Sequence, residues 1–367
     1  MTGILDNVGQ QADRFARARL IAGWDTERLA AVTAVIAGVG ALGNEVAKNL
    51  ALAGVGRLIL CDPDTVTIAN LSRTVLFTAS DVGRPKPVAA EAALRSIAPD
   101  TGVVPRQAEL VSGVGLGELA DAAVVLGCLD TVRARMQLLG RATLAGAALV
   151  DGGTGPWAGE IRLRLSPDEP CFACALTAHE RGISDVPWSC AEPPPTGPVA
   201  ASIVSTALVG SWMTVAALRL IFADPPGYRL LRIDALGGRT EPVQLTRDPD
   251  CPHHQPLTEA PQSLAVSHRD TVRDLLAALP DGAEPFGWAR FPLPVRCIAC
   301  GDTTPIPAHA GHKGASCGRC GAVLRPRFSE RLRDADGSPR LCDVGVAPEE
   351  ILTVRLLEGG HQWHRLE

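Results

Sequence analysis

The sequence predicts an α/β fold in which a doubly wound, mostly parallel sheet is extended by antiparallel strands and followed by a small cysteine-rich domain. Apolar strand segments alternate with helical segments over about the first two thirds of the chain, which is typical of a parallel sheet. The first strand runs into a Gly-x-Gly-x-x-Gly turn at Gly38, Gly40 and Gly43, a Rossmann-like arrangement that holds a nucleotide phosphate. Nearer the C-terminus, two Cys-x-x-Cys motifs predict a separate metal-binding domain.

The individual elements follow from periodicity and from turn residues. Helices are predicted at residues 13–30, 42–53, 87–98, 131–146 and 199–222, and parallel strands at 34–38, 57–61, 102–108, 122–128 and 148–151. Alternation at 160–165 and the Gly237-Gly238 turn within 228–244 predict the antiparallel strands. Beyond a linker at 258–263, we expect Ser267 to cap a short helix that ends at Leu279 and the tail 341–367 to supply strands. The predicted domains are therefore 1–257 and 264–367, with a ribbon at 296–325.

Composition restricts the class of protein. The chain has 367 residues, 46% of them hydrophobic and 20% charged, and a formal net charge of −5. Such a charge gives no general reason to expect a nucleic acid or an anionic membrane as partner. No basic-then-apolar signal segment is evident, and polar residues interrupt the apolar run at 199–222, which we expect to be a buried helix rather than a membrane span. We expect a cytoplasmic protein whose thiols stay reduced.

Polar and charged residues follow the glycine turn and the ends of later strands: Asp62, Asp64, Asn70, Arg73, Lys86 and Asp130. The turn and the first acid would suit NAD, because glycines let main-chain N–H groups approach phosphate and the acid binds ribose hydroxyls. The remaining residues have no task in an NAD site. They suit a triphosphate with Mg²⁺ whose α-phosphate is attacked by a carboxylate, since cations and amides neutralise phosphates and an acid holds the metal. The pattern therefore favours ATP.

The order GxGxxG, DxD, NLxR, GxxK, an Asp after an apolar strand and then CxxC resembles the ubiquitin-activating enzyme superfamily, and within it the ThiF/MoeB branch, over about residues 14–254. The resemblance implies an ATP-dependent adenylyltransferase. Such an enzyme activates the C-terminal glycine carboxylate of a ubiquitin-like or sulfur-carrier protein as an acyl-adenylate.

Site roles come from the same resemblance, position by position. It implies that Asp62 binds ribose, that Asn70, Arg73 and Lys86 surround the phosphates, and that Asp130 holds magnesium. Arg17 matches an arginine that reaches the ATP of the neighbouring subunit, which implies a homodimer. Thr74 and Thr131 stand where relatives commonly have Gln and Asn, and Arg135 and Gln137 match relatives in residue type without a clear role.

Most of the eleven cysteines occur in paired or His-flanked spacings, which in a reducing compartment indicate metal rather than disulfides. The first set predicts a closed structural zinc site made by Cys171, Cys174, Cys251 and His254. Relatives usually have a second CxxC at the latter two positions, and His253 is the alternative nitrogen ligand. The second set predicts a four-thiolate zinc ribbon at Cys297, Cys300, Cys317 and Cys320. Residues 290–333 contain eight Lys/Arg against two Asp/Glu, which indicates either a solvated surface or a partner-docking surface.

Cys190 is the candidate nucleophile. It lies in a Pro-rich segment where the superfamily has a cysteine that attacks the adenylated carboxylate in some relatives and is dispensable in others, so a covalent role is left open. Cys61 and Cys128 lie in predicted strands and are expected to be core residues, and Cys342 has no visible partner. The ribbon stands where relatives often carry a sulfurtransferase domain, which weakens a direct role in sulfur handling.

Three alternatives remain at this point. A superfamily member can instead modify a peptide in a natural-product pathway. An NAD(P)-dependent oxidoreductase would have no use for Asn70, Arg73, Lys86 and Asp130. A non-catalytic zinc-ribbon adaptor with a degenerate nucleotide fold conflicts with the complete set of phosphate and metal positions. The sequence does not identify the acceptor, the downstream pathway or the task of the ribbon.

Overall fold

The computed structural model describes residues 13–177, 180–181, 202–304 and 315–367. The candidate nucleophile Cys190 lies outside these residues. Contacts divide the chain into two compact units, Met1–Leu110 with Leu119–Leu257, and Val111–Glu118 with Thr258–Glu367. The second unit thus contains a short segment that comes from between two strands of the first.

The first unit is built on an eight-stranded sheet with the order β3-β2-β1-β4-β5-β6-β7-β8. The strands are β1 (Thr33–Ala37), β2 (Arg57–Cys61), β3 (Gly102–Arg106), β4 (Val124–Gly127), β5 (Leu149–Thr154), β6 (Ala158–Arg164), β7 (Leu230–Asp234) and β8 (Arg239–Val243). β1 to β5 are parallel, and β6 to β8 add to β5 in antiparallel fashion. This topology confirms the predicted doubly wound, mostly parallel sheet with an antiparallel extension.

The helices of the first unit begin and end at identifiable caps. They are α1 (Thr26–Ala31), α2 (Ala41–Ala53), α3 (Lys86–Ile97), α4 (Leu110–Gly113), α5 (Leu116–Asp121), α6 (Val132–Ala145) and α7 (Ile203–Ile221), of which α4 and α5 reach into the segment assigned to the second unit. α2 ends at Gly54, which has a φ of +100° and forms a left-handed cap. The predicted helix at 13–30 is wrong in extent, since this segment contains a short 3₁₀ helix followed by α1. Gly23 interrupts the helical conformation with a φ of +80°, and Asp25 then caps the N-terminus of α1.

α7 is long and apolar enough to cross a membrane by length and composition alone. In the fold, Val209, Met213 and Ile221 belong to the main hydrophobic core. Gly210 allows close approach to α2, since a Cβ there would lie 2.7 Å from the Glu45 side chain. The helix therefore packs on the sheet as a core element, which agrees with the buried helix predicted for this run.

The second unit contains a five-stranded sheet with the order β15-β10-β16-β17-β9. Its strands are β9 (Gln262–Leu264), β10 (Glu284–Leu293), β15 (Arg327–Arg331), β16 (Ile351–Arg355) and β17 (His361–Leu366). Its helix α8 (Val272–Ala278) is capped by Thr271, which forms a reciprocal capping box with Asp274. The predicted cap at Ser267 is therefore wrong, because the Ser267 hydroxyl accepts the Arg269 N–H in the preceding turn and the helix begins only at Val272.

Two short hairpins form the ribbon, β11 (Val295–Arg296) with β12 (Thr303–Thr304) and β13 (Ala315–Ser316) with β14 (Val323–Leu324). The segment 111–118 is attached to the C-terminal part of the unit. Its Leu116 N–H donates to the buried Glu350 carboxylate at 3.1 Å, and its Gly117 N–H donates to the Glu349 carbonyl at 3.0 Å.

Candidate functional site

The glycine turn forms a cradle at the carboxyl edge of the parallel strands. Gly38 has a φ of +90°, and a Cβ there would lie 2.4 Å from the Cys128 carbonyl oxygen. A Cβ at Gly43 would lie 2.0 Å from the Gly38 carbonyl oxygen, whereas a Cβ at Gly40 would meet nothing within 4 Å. The first and third glycines are thus required by packing, and the second leaves the N-terminus of α2 open to a ligand.

Asp62 holds this cradle from the end of β2. Its two carboxylate oxygens accept hydrogen bonds from the Val39 N–H at 2.7 Å and the Asp64 N–H at 2.9 Å. Burial raises the pKa of Asp62, against the opposing effects of Lys86 and the two N–H donors. The carboxylate is therefore fixed beside the glycine turn.

Lys86 connects the cradle to the segment that follows β2. It is the first residue of α3, and its Nζ lies 2.7 Å from Asp64 Oδ2 and 3.5 Å from Asp62 Oδ1. The side chain is only 10% exposed, so its charge is held at the site and is largely shielded from solvent. One cation between two carboxylates is an arrangement that a polyphosphate can reorganise, because phosphate oxygens compete with the carboxylates for the ammonium group.

Asn70 and Arg73 lie on a half-buried turn near the same edge. Asn70 Oδ1 accepts hydrogen bonds from the Thr67 main chain and hydroxyl, and Arg73 donates to the Ala69 carbonyl at 2.7 Å. Thr74, where relatives commonly have Gln, donates to the Asn70 carbonyl at 3.0 Å and so supports the turn.

Asn44 is a supporting residue to which the sequence analysis assigned no role. It is fully buried in the first turn of α2 and donates to the Val39 and Gly40 carbonyls at 2.9 and 3.0 Å. Its Oδ1 accepts the Leu76 N–H at 3.0 Å, which ties the glycine turn to the segment after Arg73. In the sequence, the only sign of this role is that Asn44 directly follows the third glycine of the turn.

Asp130 is exposed at the carboxyl edge, three residues beyond the end of β4. The next residue, Thr131, is the N-cap of α6 and accepts the Ala134 N–H at 3.2 Å. Threonine is one of the side chains that cap helices well, so Thr131 has a structural role at this position. Arg17 is exposed at the N-cap of a short 3₁₀ helix and is not among the residues that these contacts bring together.

The first cysteine set converges in the first unit. The ligand atoms of Cys171, Cys174, Cys251 and His254 all lie within 4.8 Å of one another. The Cys171 sulfur is 3.6 Å from that of Cys174 and 3.7 Å from that of Cys251, which is close to the separation expected for thiolates about 2.3 Å from one tetrahedral zinc ion. Burial, with the neighbouring cysteines, raises the pKa of Cys171 to about 12, so a bound cation is needed to keep it as a thiolate.

His254, not His253, is oriented toward these cysteines. Its Nε2 lies 3.1 Å from the Cys174 sulfur, while Nδ1 lies 2.6 Å from the Pro167 carbonyl oxygen. Such a carbonyl accepts the Nδ1 proton and leaves Nε2 free for a metal. His253 is half-buried beside Gly140, and the arrangement suits three thiolates and one imidazole.

The second cysteine set converges in the ribbon. The sulfurs of Cys297 and Cys320 are 3.6 Å apart, as are those of Cys300 and Cys317, and all four ligand atoms lie within 4.8 Å of one another. Gly301 and Gly321 follow each knuckle at a φ of +73°, and their N–H groups donate to the Cys297 and Cys317 carbonyls. Four thiolates with no open position fit a structural zinc ion.

We expect Cys317→Ser to remove one metal ion from the chain. On ligand count, the wild-type protein should contain about two zinc ions per chain and the variant about one. Elemental analysis of the purified protein measures this. Cys342→Ser is the control, because Cys342 is exposed and outside both clusters. Retention of two zinc ions by Cys317→Ser would show that the ribbon does not bind metal.

The glycine turn, the acids and the buried lysine lie at the carboxyl edge of a doubly wound sheet, which is where α/β proteins of the nucleotide-binding class bind their ligands. The ThiF family model matches residues 13–253, and the chain therefore belongs to the ThiF family.

Molybdopterin-synthase adenylyltransferase of Escherichia coli (strain K12) is 30% identical over 248 residues, which cover 66% of this chain and 96% of the relative. Sulfur carrier protein adenylyltransferase of Thermus thermophilus is 30% identical over 239 residues, which cover 62% of this chain and 83% of the relative.

Solved structures agree on the fold. The crystal structure of E. coli MccB with ATP superposes with a TM-score of 0.55 at 17% identity, over 70% of this chain and 77% of that chain. MccB in complex with N-formylated MccA, described as a Microcin C7 biosynthetic enzyme, gives a TM-score of 0.54 at 17% identity, over 68% of this chain and 76% of that chain. At this identity the superposition supports the fold alone.

Proposed function

We propose that the protein is an ATP-dependent adenylyltransferase that activates the C-terminal glycine carboxylate of a ubiquitin-like or sulfur-carrier protein. The observation that carries the proposal is the connected set at the strand edge. The glycine turn, Asp62, Asp64 and Lys86 are joined by hydrogen bonds and ion pairs in a chain of the ThiF family. Both curated relatives named above are adenylyltransferases, one for molybdopterin synthase and one for a sulfur carrier protein.

In this proposal, the main-chain N–H groups of the glycine turn bind phosphate oxygens, and Asp62 binds the ribose. Lys86 and Arg73 neutralise the phosphates, with Asn70 as an amide donor, and hold the α-phosphate toward the incoming carboxylate. The carboxylate attacks the α-phosphorus, the bond to the bridging oxygen breaks, and pyrophosphate leaves. Asp130 would hold a Mg²⁺ ion, which would offset the charge that accumulates on pyrophosphate.

Further parts of the proposal concern assembly and the fate of the product. Arg17 completes the site of a neighbouring subunit, so the working form is a homodimer; its proposed location is the cytoplasm. Cys190 captures the acyl group from the adenylate as a thioester, with AMP as leaving group. The two cysteine clusters bind structural zinc and take no part in the chemistry, because four protein ligands leave no open position.

The charged residues at the carboxyl edge of the sheet argue against a site for a dinucleotide such as NAD. A hydride-transfer site has no need for a buried lysine between two acids, whereas a triphosphate site does. Modification of a peptide instead of a carrier protein uses the same adenylation step, so the acceptor must be determined directly.

Pyrophosphate–ATP exchange with a panel of acceptors tests the proposal. Small proteins that end in Gly-Gly are expected to stimulate exchange, and their variants that end in Gly-Ala or lack the last glycine are not. Stimulation by peptides alone would replace the carrier by a peptide substrate. No stimulation by any acceptor would remove the adenylation proposal.

Asp130→Ala should lower acceptor-dependent exchange by roughly 10²-fold or more, because it removes a charged group from the phosphate site. Asp281→Ala is a suitable control, since it removes an exposed aspartate from the second unit. Exchange rates at saturating Mg²⁺ and at limiting Mg²⁺ would be compared. An Asp130→Ala variant with wild-type rates at both concentrations would remove Asp130 from the site.

A further inference from the structure

Phe172 occupies an unusual position between two metal ligands. It lies in the Cys171–Cys174 knuckle, is only 6% exposed, and its ring is faced by two guanidinium groups. The Cζ of Arg162 lies 5.1 Å from the ring centroid and that of Arg135 lies 5.9 Å from it. A cation over an aromatic face is attracted by the ring, and more strongly where water is excluded. The Phe172 ring of the knuckle therefore packs against one buried arginine, Arg135, and one partly buried arginine, Arg162.

Arg135 is held on its other side by β5. Its Nη1 donates to Asp151 Oδ2 at 2.6 Å, and its Nη2 donates to the Gly152 carbonyl at 2.7 Å. Both partners of the ion pair are almost fully buried, with side-chain exposures of 5% and 7%. Burial raises the pKa of Asp151, and Arg135 and Arg162 oppose that rise. A buried pair of this kind is costly to break, because removal of one partner leaves the other charge unpaired.

The Asp151 carboxylate also determines the end of β4. A Cβ at Gly127 would lie 2.4 Å from Asp151 Oδ1, so the last residue of β4 must be glycine for the carboxylate to fit. A cavity of about 20 Å³ lies beside the pair and is lined by Arg135, Asp151, Arg162, Arg164 and Phe172 among others, which is space for one water molecule. The pair therefore lies against the end of β4, three residues before Asp130.

Arg135 lies one turn into α6, and its N–H donates to the carbonyl of the N-cap Thr131 at 3.1 Å. Asp130 is the residue directly before this cap. The contacts of Arg135 with the Phe172 ring and with β5 therefore hold the first turn of α6 in place. Because Asp130 directly precedes this helix, they also restrict the position of Asp130.

We propose that Phe172 and Arg135 are positioning residues that link the first metal knuckle to Asp130, so that the knuckle sets the affinity of the site for ATP with Mg²⁺. The proposal rests on the proposed function, in which Asp130 holds the magnesium ion. In this proposal the metal site has a task beyond stability. It holds the Phe172 ring against Arg135, the residue that anchors the start of α6 just after Asp130.

A double-mutant cycle between Phe172→Leu and Asp130→Asn tests the link. The dissociation constant of a non-hydrolysable ATP analogue is measured by titration calorimetry in the presence of Mg²⁺. Phe172→Leu is expected to weaken binding by roughly three- to tenfold, from loss of the aromatic face under the arginines. In the Asp130→Asn background the same change is expected to have no further effect, because the group it positions has lost its charge.

The matched control is Phe291→Leu, which makes the same change at a site 4% exposed in the core of the second unit. Zinc content is measured for every variant and should stay at the wild-type value in Phe172→Leu. Where Phe172→Leu fails to fold, Arg135→Lys serves in the same cycle, since it keeps the charge but loses the two-point contact.

The outcomes separate the link from the proposed function. The link is overturned if Phe172→Leu and Phe291→Leu bind the ATP analogue with the same dissociation constant. It is also overturned if Phe172→Leu weakens binding equally in the wild-type protein and in the Asp130→Asn variant. An Asp130→Asn variant that binds the analogue as tightly as the wild type removes the magnesium role of Asp130, and with it both proposals for that residue. A Phe172→Leu effect that disappears only in the Asp130→Asn background supports the link.

Discussion

Lys86→Ala is expected to lower acceptor-dependent pyrophosphate–ATP exchange by about 10²–10³-fold. Lys86 is buried at the strand edge and lies between Asp62 and Asp64. Without it, the phosphates would meet two carboxylates whose charges are no longer offset, so both binding and the charge that develops on pyrophosphate would be disfavoured. Steady-state exchange at several ATP concentrations separates the loss in apparent ATP affinity from the loss in rate.

Arg95→Ala provides the control for this change. Arg95 lies on the same helix, α3, but its side chain is exposed and pairs with Glu91 one turn earlier. An exposed pair of this kind contributes little, so exchange should stay near the wild-type rate. A Lys86→Ala variant that retains exchange within about threefold of Arg95→Ala would contradict the assignment of Lys86 to the phosphates.

Cys171→Ser is expected to cause the largest loss of stability. The change removes a ligand from a buried cluster, and metal binding at a closed site of this kind is coupled to folding. We expect one zinc ion fewer per chain and a melting temperature lower by roughly 10 °C or more. Elemental analysis and thermal unfolding measure the two effects independently.

His253→Ala is the informative comparison for the first metal site. His253 is adjacent in sequence to His254 but is not one of the clustered ligands, so its replacement should leave the zinc content unchanged. Loss of zinc in His253→Ala with retention in His254→Ala would reverse the choice of the nitrogen ligand. Zinc retained in full by Cys171→Ser would show that no metal occupies the cluster.

The sequence was sufficient for the parts of the fold that local patterns specify. Strand and helix alternation predicted the parallel strands, Gly38, Gly40 and Gly43 predicted the tight turn after β1, and cysteine spacing predicted two clusters that the structure brings together. These features depend on the periodicity and chemistry of neighbouring residues, which can be read from one sequence.

The supporting contacts could not be predicted in the same way. Arg135 and Asp151 are 16 residues apart, and an arginine in a helix or an aspartate in a strand is more often a solvated residue than half of a buried pair. Likewise, nothing in residues 111–118 indicates that Leu116 donates to Glu350, which is 234 residues away. Such contacts are set by tertiary packing, on which local propensity has no bearing.

The fate of the ATP phosphates tests the central claim most directly. The protein is incubated with a Gly-Gly acceptor and with ATP labelled at either the α- or the γ-phosphate, and acceptor and nucleotide products are separated under acidic conditions. We predict that the α-label appears on the acceptor as an acyl-adenylate, and in AMP once Cys190 has captured the acyl group, while the γ-label appears in pyrophosphate. Release of the γ-label as inorganic phosphate with formation of ADP would contradict an attack on the α-phosphate, and with it the account of this site.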